Sequence, residues 1–356
     1  MVILASVRFL RCWRRMANPL RFLDESFACV DEGGQRWFLV EVTQRTHRGR
    51  YLLRPGRDTR AVFLGAAGYA RARVPGVSLL DYHCMSNHFG LVIAVRDLRS
   101  LAAFEQAMNG RLSKELKWLR GYDDFVFPNA YRMVQVADEA ALRERFVYGR
   151  GNCVKEGLVR HPSQWTGPHA ARQWHHGEVA RGYYHDFTAY DRARRSKRGA
   201  QAKLSDFRCY VTVELDKPPC WQQMDDAAYA RFQRSLSDEA AARYAQAEVA
   251  GARACELISP LYEPDAVAKD PLPCRLIGSL ADRMAYRARL RATRTAYTAI
   301  IQRWRALMTG LHDHLNALIG HSLAALALPV GTLPPGAWCA PAFTRSPARA
   351  TGLDPP

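Results

Sequence analysis

Two short apolar runs, Val77 to Tyr82 and Leu91 to Val95, stand on either side of the polar pair Ser86-Asn87. Both are rich in β-branched residues, which is how strands covered on both faces read, and Ser-Asn supplies turn chemistry between them. The chain must therefore build layers on both sides of a sheet. His88 falls near the start of the second strand, and alternation puts residues 88 and 90 on one face. A His-x-His pair there would aim two imidazoles at one divalent metal, but the second place is Gly90. A single histidine at a strand end is equally consistent with a hydrogen-bonded structural residue.

A second segment, Arg145-Phe-Val-Tyr148-Gly-Arg-Gly-Asn152-Cys-Val-Lys-Glu-Gly157-Leu-Val, lies about sixty residues downstream. Acidic residues at Asp138-Glu139 favour a helix start, and Phe146 and Val147 continue an apolar stripe. Residues four apart on a helix are neighbours, so Tyr148 and Asn152 point the same way. Gly149 and Gly151 weaken that helix. A tyrosine at helical spacing is also compatible with core packing around a satisfied hydroxyl.

Taken together, Met85-Ser-Asn-His88-Phe-Gly90 resembles the Met-Pro/Ser-Asn-His-x-His signature of the single-tyrosine HUH transposases, which include the REP-associated tyrosine transposases of bacteria. Tyr148-Gly-Arg-Gly-Asn152-Cys-Val-Lys-Glu-Gly157-Leu158-Val159 is similar to their Tyr-Ile-x-x-Asn-Pro-Val-Arg-Ala-Gly-Leu-Val helix. Met16-Ala-Asn-Pro-Leu-Arg21 looks like their usual start, Phe38-Leu-Val-Glu-Val-Thr-Gln-Arg45 resembles their first strand, and Arg160-His-Pro-Ser-Gln-Trp165 their His-Pro-x-x-Trp. The likeness runs in register from residue 16 to 165, with a looser one at Val213 to Trp221 and Leu333 to Gly336.

The resemblance implies a single-stranded DNA endonuclease and strand-transferase of mobile elements, in which a tyrosine attacks the scissile phosphate to leave a 5′-phosphotyrosine and a free 3′-hydroxyl. Carried over by position, it makes Tyr148 the nucleophile, and His88 and Asn152 ligands of Mg2+ or Mn2+. A phenol is a poor nucleophile at neutral pH, so an ion that stabilises charge on the phosphate suits this chemistry. Gly90 departs from the pattern by removing one of three ligands, which weakens a hard-cation site. His83 is five residues from His88, an odd separation that puts it on the opposite face of a continuous strand unless the turn reverses it. His47 could approach from a neighbouring strand. A catalytically inactive descendant that binds DNA as a regulator is therefore the alternative expectation.

Charge fits a nucleic-acid partner. The chain carries 51 Lys+Arg against 34 Asp+Glu, a formal net charge of +17, and attracts phosphates at long range. Arginine dominates, and guanidinium forks suit phosphate oxygens and stack on bases. Arg45, Arg48, Arg50 and Arg54 follow the first strand and are the expected contacts to single-stranded or hairpin DNA. A basic composition throughout the chain, or a solvated charged linker at Arg192 to Arg198, are the plainer readings of such clusters. Nine cysteines without a CxxC pair read as free thiols of a cytoplasmic protein. The start is a poor signal peptide, and no apolar run is long enough for a membrane span. Family members are often dimers, so a homodimer is expected by resemblance.

The expected fold class is α+β, an antiparallel sheet with helices on its faces, followed by a mainly helical C-terminal region. Strands are expected over residues 37–44, 76–84, 88–95 and 131–136, and helices over 57–72 and 98–119, where Leu101, Phe104, Met108, Leu112 and Leu116 recur at helical spacing. The expected organisation is an extension (1–15), the transposase-like domain (16–165), a basic linker (166–205), a helical domain (206–340) and a disordered tail (341–356). The stripe Tyr297, Ile300, Trp304, Leu307, Met308 and Leu311 reads as core.

Overall fold

The structure is a computed structural model that describes residues 21–196, 201–251, 255 and 275–325. It divides into two compact units, Met1–Ala292 and Thr293–Pro356. The expected extension 1–15 and tail 341–356 lie outside the described residues.

The first unit is built on a six-stranded sheet. Its strands are β1 (Ala28–Val30), β2 (Arg36–Arg45), β3 (Val77–Cys84), β4 (His88–Val95), β5 (Arg132–Val136) and β8 (Leu276–Ile277), in the order β3-β4-β2-β5-β8 with β1 also on β2. All pairs are antiparallel except β5 with β8, so the sheet is mixed and not the purely antiparallel one expected. A parallel pair needs a long crossover, and here it spans residues 137–275. A two-residue strand carries no alternation from which to read it.

Both faces of the sheet are covered, as the paired apolar runs require. On one face, α1 (Arg57–Arg73) and α2 (Leu98–Arg120) press Phe63, Leu64, Phe104, Met108 and Leu112 against Val40, Val42, Leu91 and Ile93. On the other, α3 (Glu139–Lys155) lays Leu142, Phe146 and Val147 on Leu39, Leu80, Val92 and Ala94. Helix starts follow the sequence: the Asp97 and Asp138 carboxylates each accept from a backbone amide in the first turn, at 2.7 Å. A further helix, Asp226–Arg243, backs α3 and completes that layer through Leu236 and Ala240.

The stretch 166–205, expected as a linker, contains folded elements: α4 (Ala171–His176), β6 (Arg181–His185) and α5 (Phe187–Arg194). Strand β6 pairs with β7 (Arg208–Thr212) and packs on α1, where Gly65 and Gly182 let two backbones touch. The His185 ring is buried against Glu115 at 2.6 Å. Rings and paired charges hold this segment, so it lacks the apolar periodicity that marks an element in sequence. The helix Asp226–Arg243 is α6, and α7 (Leu280–Ala325) follows β8.

In the second unit the Tyr297 to Leu311 stripe, expected as core, is exposed. Among the described residues of that unit, residues 293–325, no other element is present to cover it. No helix among the described residues is long and apolar enough to cross a membrane.

Candidate active site

The turn between β3 and β4 is three residues long and closes through the Met85 amide to the His88 carbonyl at 2.8 Å. This fixes the register at Cys84 opposite Phe89 and His83 opposite Gly90. Residues directly opposite in an antiparallel pair project to the same side, so His83 comes to lie over Gly90. The turn thus reverses the chain, and the opposite-face placement expected for a continuous strand does not hold. A bulge between Leu79 and Asp81 helps: Leu79 stays with the α1–α2 core while Leu80 and Asp81 turn toward α3.

The His83 ring occupies the volume that a side chain at position 90 would need. A Cβ at Gly90 would lie 2.6 Å from His83 Nε2, and one at Gly149 would lie 2.8 Å from Nδ1. The same ring is therefore gripped between strand β4 and helix α3, which gives Gly149 a packing reason inside a helix. Asn152 Nδ2 donates to His83 Nε2 at 3.0 Å. The His88 ring is a neighbour, its centroid 6.4 Å from that of His83. His88 Nδ1 donates to Asn87 Oδ1 at 2.8 Å, which leaves Nε2 as an acceptor. Two imidazoles and the Asn152 amide thus gather at one end of the hairpin.

Burial decides the protonation of these rings. Desolvation pulls the pKa of His83 down to about 3 and of His88 to about 4, with the other ring and Arg45 adding smaller repulsions. Both are neutral at pH 7, the form that donates a lone pair. His169, bridged to His83 through the backbone, is also buried and held well below its ordinary pKa by desolvation. The unfolded chain protonates these three rings from about pH 6.5 downward, and the folded one does not. The unfolded state then binds more protons, so stability must fall as pH drops below about 6.5. Urea midpoints at pH 7.5 and 5 check this; the value at pH 5 is expected to be clearly lower.

Tyr148 is half-buried on α3. The Arg145 guanidinium lies 4.8 Å and the Lys155 ammonium 5.8 Å from the centre of its ring. Arg145 in turn reaches Glu41 of β2 at 3.6 Å, a carboxylate whose pKa burial raises against the pull of that arginine. The phenol is thus flanked by two cations on the helix that carries Asn152. Such a setting attracts a phosphodiester.

The basic segment rims this end of the sheet. Arg45 pairs across from His88 in the β2–β4 register and is exposed. The loop after it is tied to the hairpin turn, through the Thr46 amide to Asn87 O and the Leu53 amide to Ser86 O, each at 2.9 Å. Arg48, at φ 52°, and Arg54 are exposed, whereas Arg50 is half-buried with its guanidinium 5.4 Å from the Tyr122 ring. Among the described residues Arg45, Arg48 and Arg54 have no carboxylate partner. His47 bonds to Tyr122 and Asp124, at 3.2 Å each, and does not join the two imidazoles.

Sequence reasoning missed Arg150. Its side chain is fully buried between Gly149 and Gly151, 2.9 Å from Asp81 on β3, 2.5 Å from Gln233 O and 3.2 Å from Ser237 Oγ on α6. It clamps the helix of Tyr148 and Asn152 to the strand of His83. The only available signal was an arginine within an otherwise small and apolar run.

No family model matches the chain, and no curated protein matches it. Among solved structures it is similar to one described as a REP-associated tyrosine transposase bound to a REP hairpin, at 15% identity and a TM-score of 0.30, over 43% of this chain and 81% of that one.

Proposed function

We propose that this protein binds single-stranded or hairpin DNA, and that Tyr148 cleaves and rejoins it. The observation that supports the reading best is the His83 ring standing over Gly90, beside His88 and against Asn152. The volume that lacks a histidine along β4 is filled by one from β3. Two neutral nitrogens and one amide oxygen, once Asn152 turns, form a mixed donor set in which an imidazole-rich first shell suits Mn2+ better than the oxygen-seeking Mg2+. When bound, such an ion would neutralise charge on the scissile phosphate and orient it.

The protein's own groups would do the rest. The Tyr148 oxygen attacks phosphorus and loses its proton to solvent; the bond from phosphorus to the 3′-oxygen breaks, and that oxygen leaves as the 3′-hydroxyl. The 5′-phosphate stays on the tyrosine until a 3′-hydroxyl attacks in the reverse sense and frees the phenol. Arg145 and Lys155, whose charges lie by the Tyr148 ring, would hold the phosphate oxygens. Arg45, Arg48 and Arg54 would grip the backbone on the same rim, and Arg50 would hold Tyr122 for stacking.

Incubation of the protein with Mn2+ and hairpin oligonucleotides from its own genomic flanks should give a covalent adduct that resists denaturing gels. Tyr148→Phe is expected to abolish the adduct while DNA binding changes less than about threefold, since binding rests on phosphate contacts. A second reading, DNA binding without cleavage, has its own support: Gly90 stands where the resemblance implies a second histidine on β4. It predicts no adduct on any flanking repeat, and salt-sensitive binding indifferent to Tyr148→Phe.

A further inference from the structure

A second group of ligating side chains shares no residue with the first. His161 caps the 3-10 turn Pro162–Gln164, His175 sits in the last turn of α4, and Asp238 is on α6. Their ligand atoms all lie within 4.8 Å of one another. His161 Nε2 is 3.1 Å and His175 Nε2 3.8 Å from Asp238 Oδ1. Around a tetrahedral zinc, with bonds of about 2.0–2.1 Å, neighbouring ligand atoms are roughly 3.3 Å apart. Small side-chain rotations therefore bring these three to ligating distance.

His175 is the member of the group that a plain hydrogen-bonded cluster leaves unsatisfied. His175 Nε2 is buried and has no hydrogen-bond partner among the described residues, an unusual state for a ring nitrogen in a folded protein. His161 Nδ1 is 2.8 Å from Ser163 Oγ. The same nitrogen accepts from the Ser163 amide at 3.2 Å; with an ion on Nε2 the His161 proton moves to Nδ1, this cap bond is lost, and the ring donates to the hydroxyl instead, the outer hydrogen bond that ligating histidines make. The Asp238 side chain, 64% exposed, opens the site to solvent and so to a water in the fourth position. Two imidazoles and a carboxylate suit zinc better than magnesium.

We propose that His161, His175 and Asp238 form a zinc site that staples the segment after the tyrosine helix to α6. It rests on none of the residues invoked for DNA cleavage. The test uses the full chain, stripped with chelator, dialysed against ZnCl2 and measured for bound metal and for unfolding temperature. The wild type is expected to hold one zinc per chain at this site and to melt higher as zinc is added, because an ion that binds only the folded state stabilises it. His175→Ala and Asp238→Asn should each weaken uptake at least about tenfold, since even outer hydrogen bonds to ligands are worth that much, and should lose the zinc-dependent rise in melting. His88→Ala should retain both.

Asp238 is largely exposed, so Asp238→Asn is expected to melt like the stripped wild type, which separates lost binding from lost folding. Zinc uptake that is absent in the wild type, equal in the wild type and both site variants, or lost in His88→Ala alone would overturn the proposal. The last result would place the metal at His88.

Discussion

Gly90→His is expected to destabilise the protein by about 1–3 kcal/mol or more, although it restores a His-x-His sequence along β4. The new side chain must enter a volume that the His83 ring already fills, since a Cβ at position 90 would lie 2.6 Å from His83 Nε2. Overpacking a buried site of this kind carries costs of that size. The ring cannot retreat toward α3, because Gly149 presses from that side with a clearance of 2.8 Å to Nδ1 for any added Cβ. Exchanging the two residues, His83→Gly with Gly90→His, should return much of the lost stability, since one imidazole again occupies one volume. Urea unfolding of the two single variants and the double variant gives the coupling, expected at about 0.5–3 kcal/mol in the compensating direction. Additive effects would mean that the two positions do not share space. The same trio, assayed for the covalent adduct, asks whether cleavage needs the imidazole at that place and not the strand that supplies it.

Arg150→Met should cost about 3–5 kcal/mol, the penalty for leaving a buried charge without its partner. Asp81 is buried, and burial already raises its pKa against the opposing effect of Arg150. Without the guanidinium the carboxyl takes up a proton or distorts the hairpin. The Gln233 carbonyl and the Ser237 hydroxyl lose a donor as well. Replacing both members, Asp81→Leu with Arg150→Met, should recover most of the loss, because apolar pairs of similar volume often substitute for a buried ion pair. Thermal unfolding of the three variants checks the ordering. Any adduct formed by the wild type should fall further in Arg150→Met than in the double variant, since the single change loosens the helix that carries Tyr148 and Asn152.

Much of the frame is legible in the sequence. The apolar runs around Ser86-Asn87 become β3 and β4, with ends at Cys84 and His88, and the spacing of Leu101, Phe104, Met108 and Leu112 becomes the buried face of α2. Local signals sufficed there because alternation and helical period depend on near neighbours alone. The parallel β5–β8 pair was not legible, because its partners are remote and one is two residues long. The β6 segment escaped notice because charge pairs and stacked rings, which hold it to α1 and α2, have no period.

At the site, the likeness to a known signature pointed to His88, Tyr148 and Asn152, and the structure brings His88 and Asn152 each next to His83. Counting five residues along the chain left the face of His83 to be decided by the turn, and the three-residue turn pairs it with Gly90. Arg150 was invisible because its partners, Asp81, Gln233 and Ser237, are gathered only by the packing of α3 between β3 and α6.

A side chain's address in space need not follow its address in the chain. Adjacent antiparallel strands offer two backbone positions from which one imidazole can reach the same spot, and here the donor is the facing strand. Chains whose His-x-His pair looks interrupted at its second place therefore merit inspection two residues before the turn for a histidine that has changed sides. A variant library built on this hairpin should randomise positions 83 and 90 jointly, because sampling either alone explores only crowded or vacant combinations.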